Sequence, residues 1–390
     1  MALWTPEYID TALWLDAADS STVTLVSGAV SEWADKSGNG RDATQGAAGR
    51  RPIISTGGLN GIDVVDFDGT DDGLTVNVGT MLSGLSGQTL VAVVKQKTTS
   101  SGVKRIIEYA AGSSTTMMFY GLGLTENKLG VGGRRLTANS FQSVSSANNA
   151  GINWMLYAGL IDYANADLYL RENGSHAASD LSFQTAGDTG TLTSQSGVVA
   201  NIPSFISGND VMIAEIVQVN AYLNDDDLKK IEGYLAHKWS LDANLPVDHP
   251  YKSNAPILHY IPITLSESLA ATDFSAIVIN ADTGSLISNT KVTSATTQID
   301  AGVAAPCFVT LYPDYGTSWQ AESAYALNDK VFPTNPETTP YYYECTTAGT
   351  SGATEPTWPT AAGTVNDGTA VWTFVERMVQ PITHGPLVPD

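Results

Sequence analysis

The sequence predicts a mainly β fold spread over several domains, the largest a sandwich of short strands. Composition is the first ground. Gly occurs 36 times in 390 residues and charged residues make up only 15%. Ser, Thr, Asn and Asp fill much of the rest, a mix that favours short strands and turns over long helices. Pattern is the second: apolar-rich runs recur between Gly, Ser and Asn clusters at the spacing of a sandwich. Length is the third, since 390 residues exceed one ordinary core and suffice for two or three domains.

Residues 1–255 read as one large β domain, with strands expected at 13–15, 23–25, 89–94, 105–109, 155–161, 167–171 and 211–219. One helix stands out. Asn224 can cap it, Asp225, Asp226 and Asp227 favour its positive N-terminal end, and Leu228, Ile231, Leu235 and Trp239 recur on one face. Pro246 and Pro250 stop any continuation, and the helix is expected on the sandwich edge, closing the domain. Residues 256–314 read as a small immunoglobulin-like or transthyretin-like β-sandwich, with strands at 274–280 and 308–311 and a turn at Ala281-Asp282-Thr283-Gly284. Residues 315–377 form an aromatic-rich β module. Residues 378–390 carry three prolines and no periodicity, and read as an extended tail. Cys307 and Cys345 fall in different segments and are expected as free thiols.

The net charge of −21 disfavours binding to nucleic acid or an anionic membrane surface. The first residues lack a basic start and an apolar core, so no signal peptide is expected. No apolar run is long enough to span a bilayer as a helix.

Several stretches carry a family resemblance. LWLDAADSSTVT (13–24), VSEWADKSGNGRDATQ (30–45), VVDFDGTDDGL (64–74), AEIVQVNAYLNDDDLKKIEGYLAHKW (214–239) and LPVDHPY (245–251) make the first domain resemble concanavalin A-like, laminin-G-type jelly rolls, in the variety common in bacteriophage virion proteins. SWQAESAYALNDKVFP (318–333), YYYECTTAGTSGATEPTWP (341–359) and VNDGTAVWTFV (365–375) make the third segment resemble small chitin-binding-type carbohydrate-binding modules of phage tail proteins. The first fold hosts lectins, hydrolases and inert modules, so it implies no single function.

Asp66, Asp68, Asp71 and Asp72 form the densest acidic cluster. Four carboxylates at a turn could hold Ca²⁺ through oxygen ligands. The spacing is not that of an EF-hand loop, and carboxylates capping backbone N–H groups are the favoured reading, so no cofactor is expected. Glu108 and Glu215 lie on expected strands. Glycoside hydrolysis needs two carboxyl groups about 5–10 Å apart, and the Glu-x-Asp-x-x-Glu strand of the glucanases on this fold is missing: Ile216, Val217 and Gln218 follow Glu215. Both are therefore expected to be structural, and no catalytic residue is assigned. His176, His237, His249, His259 and His384 have no metal-ligand spacing. Sugar rings stack their apolar faces on exposed aromatic rings, and Trp319, Tyr342 and Trp358 are the expected carbohydrate contacts, with Tyr343 and Trp372 in the core.

The expected function is a non-enzymatic virion protein on the surface of a phage particle, made in the host cytoplasm. It would serve as a tail fibre or receptor-binding subunit, or as a head decoration subunit, binding a host surface or cell-wall glycan. Its expected partners are other virion proteins and copies of itself, a trimer if it is an appendage. The alternatives are a polysaccharide depolymerase on the same fold and a secreted bacterial lectin.

Overall fold

A computed structural model describes residues 3–99, 104–111, 115–122, 128–149, 151–192, 195–202, 205–258, 260–264, 274–292, 296–300, 306–378, 382–387 and 389. The chain divides into two compact units, Leu3–Pro256 and Ile257–Asp390. Strand is the prevailing structure in both.

The first unit is built from two antiparallel layers. In one, the strands run in the order Thr11–Asp16, Val211–Val219, Gly87–Gln96, Met155–Asp162, Asp167–Glu172 and Ser175–Asp180. In the other the order is Leu74–Val76, Ser196–Val199, Lys104–Ala111, Thr115–Leu122, Lys128–Gly133 and Gln142–Asn149. Short strands between Val23 and Asp66 link them: Ala43–Thr44 pairs with Leu74–Val76, and Ile62–Asp66 with Val211–Val219. Leu90, Ala92 and Val94 from the first layer meet Ile107, Tyr109, Met118, Tyr120, Leu129 and Val131 from the second in one core. The β-sandwich is the fold the composition and strand spacing predict.

The helix, α1 (Asp225–Lys238), begins as expected: the Asn224 side chain accepts from the Asp227 N–H at 2.9 Å, with three aspartates in the first turn. Such a cap is worth about 1 kcal/mol. Leu228, Ile231 and Leu235 are buried, as is Trp239 just beyond. Its position differs from the expected edge. It packs against Gly87–Gln96 and Met155–Asp162 in the interior of the first layer. The run Leu90, Val91, Ala92, Val93, Val94 is wholly buried. A strand covered on both faces has no reason to alternate, and that unbroken run is the mark of a strand roofed by a helix. Among the described residues no helix is long and apolar enough to cross a membrane.

In the second unit, Phe274–Asn280 pairs with Leu286–Val292 on one side and Cys307–Pro313 on the other. Residues 378–390 were expected as a tail, but Ile382–Leu387 instead adds to Cys307–Pro313 as the outer strand of this sheet. The prolines hid it. Pro386 falls where the register shifts opposite Phe308, so its missing N–H is not needed by the ladder. The aromatic-rich stretch lies between these two paired strands. It has its own five-stranded sheet of Thr317–Ser318, Lys330–Phe332, Tyr341–Thr347, Ala370–Arg377 and Thr364–Asp367. Neither Cys307 nor Cys345 is in a disulfide, and both are buried.

Candidate functional site

The three rings expected to meet sugar are not on the surface. Trp319, Tyr342 and Trp358 are 6%, 2% and 8% exposed, scarcely more than the expected core residues Tyr343 and Trp372 at 0%. Trp319, Trp358, Tyr343, Val331, Cys345 and Trp372 share one core. Asp367, itself buried, explains much of this, because its Oδ2 accepts from both the Trp319 and Trp372 indoles at 2.7 and 2.9 Å. Trp358 stacks on Tyr343 at 4.3 Å and donates its indole N–H to Glu355 at 2.8 Å. Tyr342 does face away from Tyr341 and Tyr343, as alternation demands, but the Tyr315 ring covers it at 4.9 Å. A module this small cannot bury its backbone without most of its large side chains, so aromatic density here reports a core.

Glu355 gives this core an acid sensitivity. Burial alone would raise its carboxyl. Donation from the Thr334 hydroxyl, the Trp358 indole and the Thr334 backbone N–H outweighs that and holds it below the ordinary value. A carboxyl depressed on folding adds stability that is present above the unfolded value and is lost as pH falls through the folded one. The Glu355→Gln variant is therefore expected to be less stable at neutral pH and to lose less on acidification below about pH 4.5. Parallel acid-unfolding profiles of the two proteins would contradict this.

The acidic turn separates on folding. Asp66 pairs with Lys97 at 2.6 Å, while Asp68, Asp71 and Asp72 place carboxylate oxygens within 4.8 Å of one another. Backbone groups occupy two of these three: Asp68 accepts from the Thr70 N–H at 2.7 Å, and Asp72 from the Asp68 N–H at 3.0 Å. The Arg50 guanidinium lies 3.6 Å from Asp71. Burial, reinforced by the charges of Asp68 and Asp71, raises the Asp72 carboxyl. The oxygens suit a hard cation chemically, and two of the carboxylates also cap backbone N–H groups.

The carboxylates weighed for hydrolysis serve separate structural contacts. Glu108 binds Arg105 at 2.9 Å. Glu215, wholly buried, accepts from the Trp14 and Trp239 indoles at 2.7 Å each, from Tyr234 at 3.2 Å and from Lys238 at 2.6 Å. Glu232 binds Arg171 at 2.7 Å and His249 at 3.3 Å. His237 reaches the Tyr251 carbonyl oxygen at 2.8 Å. His176 lines a shallow pocket with Asp225 and Lys229, His384 lies exposed on the last strand, and His259 lies outside the described residues.

Among the described residues, two open polar grooves of about 460 Å³ each stand out. One, in the second unit, is lined by Asp314, Tyr325, Asn328, Asp329 and Lys330 among others. The other lies in the first unit, where loops distant in sequence meet. Asn60-Gly61 joins Ile53–Leu59 to Ile62–Asp66, and Asn173-Gly174 joins Asp167–Glu172 to Ser175–Asp180. Both pairs have positive φ at each residue (51° and 84°, 50° and 78°), the type I′ geometry that Asn-Gly adopts most readily. The first tip is clipped to the end of α1 by the Asn60 amide, which donates to the Trp239 carbonyl at 2.6 Å. The second is held by Asn173, which exchanges hydrogen bonds with the Leu156 backbone at 2.7 and 2.9 Å. Trp154, Asn153, Glu172, Ser240 and Asn244 are among the other lining residues. Glu172 is half-buried, and burial raises its carboxyl. Asn-Gly is a hairpin signal in any sequence, but nothing in the sequence brings these two dipeptides together.

No protein-family model matches the sequence, and no curated protein matches it. Among solved structures the chain is similar to a Trypanosoma rangeli sialidase in complex with sialic acid, at 13% identity and a TM-score of 0.41 over 63% of this chain and 35% of the sialidase. The chain thus spans about a third of that protein's length. It is also similar to domain 4 of an extracellular arabinanase from Geobacillus stearothermophilus in complex with arabinotriose (12%, 0.40, 55% of this chain and 94% of that one). A third is the binding domain of botulinum neurotoxin serotype D (9%, 0.44, 95% and 92%). Likeness of this degree concerns β layering alone.

Proposed function

We propose that this chain is a non-catalytic, glycan-binding protein of a bacteriophage particle. It would act as a tail fibre or receptor-binding subunit or as a head decoration subunit, assembled with other virion proteins and trimeric where it forms an appendage. The single observation that carries the binding reading is the pair of open polar grooves that set an aromatic ring among carboxamides and carboxylates. Such surfaces suit polyhydroxylated ligands, which offer apolar faces and hydroxyls together. The carboxylates Glu108, Glu215 and Glu232 are each neutralised in place, which favours binding over the depolymerase alternative. The virion setting rests on the sequence resemblance and on the acidic surface. The test combines two measurements. Particles lacking the protein should show lost density and weaker adsorption to host cells, and the purified chain should bind host surface polysaccharide without releasing reducing ends. Unchanged particles, or steady release of oligosaccharide, would overturn the reading.

A further inference from the structure

We propose that the groove between the Asn60-Gly61 and Asn173-Gly174 hairpin tips binds a neutral saccharide of one or two rings, with Trp154 as the stacking face and Glu172 as the acceptor for its hydroxyls. This rests on the glycan-binding reading above and adds the site and the sugar class. The volume, about 460 Å³, lies in the range of small-ligand sites. Trp154 is half-buried at the groove wall, which leaves part of its indole for the apolar C–H face of a sugar ring. Asn153 and Asn244 stand exposed beside it, and a carboxamide both donates and accepts, as a sugar hydroxyl does.

Glu172 is the most informative residue. It is half-buried, and none of the described side chains pairs with it. A carboxylate partly removed from water without a partner is costly, and a donating hydroxyl from a ligand would relieve that cost. The same residue sets the class of sugar. Neither Lys nor Arg is among the lining residues, and the chain carries a net charge of −21. A sialic or uronic acid would meet repulsion from both. A single carboxylate lines the groove, whereas glycoside hydrolysis needs a pair. The walls are fixed beforehand by the Asn60 and Asn173 hydrogen bonds to the backbone, so little ordering opposes binding. In the groove of the second unit two of the polar groups are already engaged: the Tyr325 hydroxyl accepts from the Gln320 N–H at 2.9 Å, and Asp329 accepts from the Ala326 N–H at 2.7 Å.

The full chain is tested against immobilised neutral gluco-, manno-, galacto- and chito-oligosaccharides and, in parallel, against sialylated and uronic-acid oligosaccharides. The expected result is retention on a neutral sugar. Trp154→Ala should weaken it about 10- to 100-fold and Trp154→Phe less, and Glu172→Gln about 5- to 20-fold. Tyr325→Phe in the second unit should change nothing. Should Trp154→Ala fail to fold, Glu172→Gln decides alone. Neutral-sugar binding that survives both groove variants would place the site elsewhere and overturn this inference while leaving the glycan-binding reading intact. So would retention on acidic sugars alone. Retention on neither set would overturn both.

Discussion

Replacing Glu215 with alanine is expected to destabilise the Leu3–Pro256 unit by about 3–5 kcal/mol, the cost of removing one partner from a buried ion pair. The carboxylate is wholly buried and joins three parts of the chain. Trp14 comes from the first strand, Glu215 from the last, and Lys238 and Trp239 from the end of α1. Lys238 also binds Asp16 at 2.7 Å, and Asp16 binds Lys36 at 2.8 Å. Alanine would leave two buried indole N–H groups without an acceptor and the partly exposed Lys238 short of one carboxylate. Glu215→Gln keeps one acceptor oxygen, enough for one of the two indoles, which bind different carboxylate oxygens, and removes the charge, so it should cost less than alanine but more than nothing. Urea unfolding followed by tryptophan emission measures both. A loss below about 1 kcal/mol for the alanine variant would show that the contacts around Glu215 are replaceable.

The second large effect is expected in the other unit. Trp372→Ala should cost about 3–5 kcal/mol, the range for truncating a buried large aromatic. Trp372 has no exposed surface. Tyr325 meets its ring edge-on at 4.8 Å, Trp358 lies 6.1 Å away, and its indole shares Asp367 with Trp319. Trp319→Ala and Trp358→Ala should also melt early, because both rings belong to the same core. A surface stacking platform would behave in the opposite way, losing ligand and keeping its melting temperature. Thermal melts of the three variants separate these outcomes. Three normal melts would return the rings to the surface and restore them as sugar contacts.

The contrast between Trp358 and Trp154 marks how far the sequence can be read. Strand positions and the capped helix follow from local pattern: Asn224, the three aspartates and the apolar stripe lie within one continuous segment, and each acts on its neighbours. The inner side of an aromatic module is a different matter. Trp319 is buried largely because Asp367, 48 residues away, receives its indole, and no spacing rule announces such a pairing. The candidate groove is harder still. Asn60, Trp154, Glu172 and Ser240 become neighbours only after the layers have stacked and α1 has settled on the outer face. The outer strand Ile382–Leu387 escaped notice for the reverse reason: its local chemistry, with Pro386 inside it, argues against a strand, and the register shift that tolerates the proline arises only through pairing.

That strand also bears on how such a chain can change over generations. The aromatic module leaves the sheet after Pro313 and the chain re-enters it at Ile382, and these flanking strands are direct neighbours, with Leu311 opposite Ile382. Entry and exit therefore lie side by side, the arrangement that lets an inserted domain be exchanged without disturbing its host. The stretch between them is an insertion within that sheet. A gene exchange that swapped it for another module, or for a short loop, would leave Cys307–Pro313 and Ile382–Leu387 paired as before.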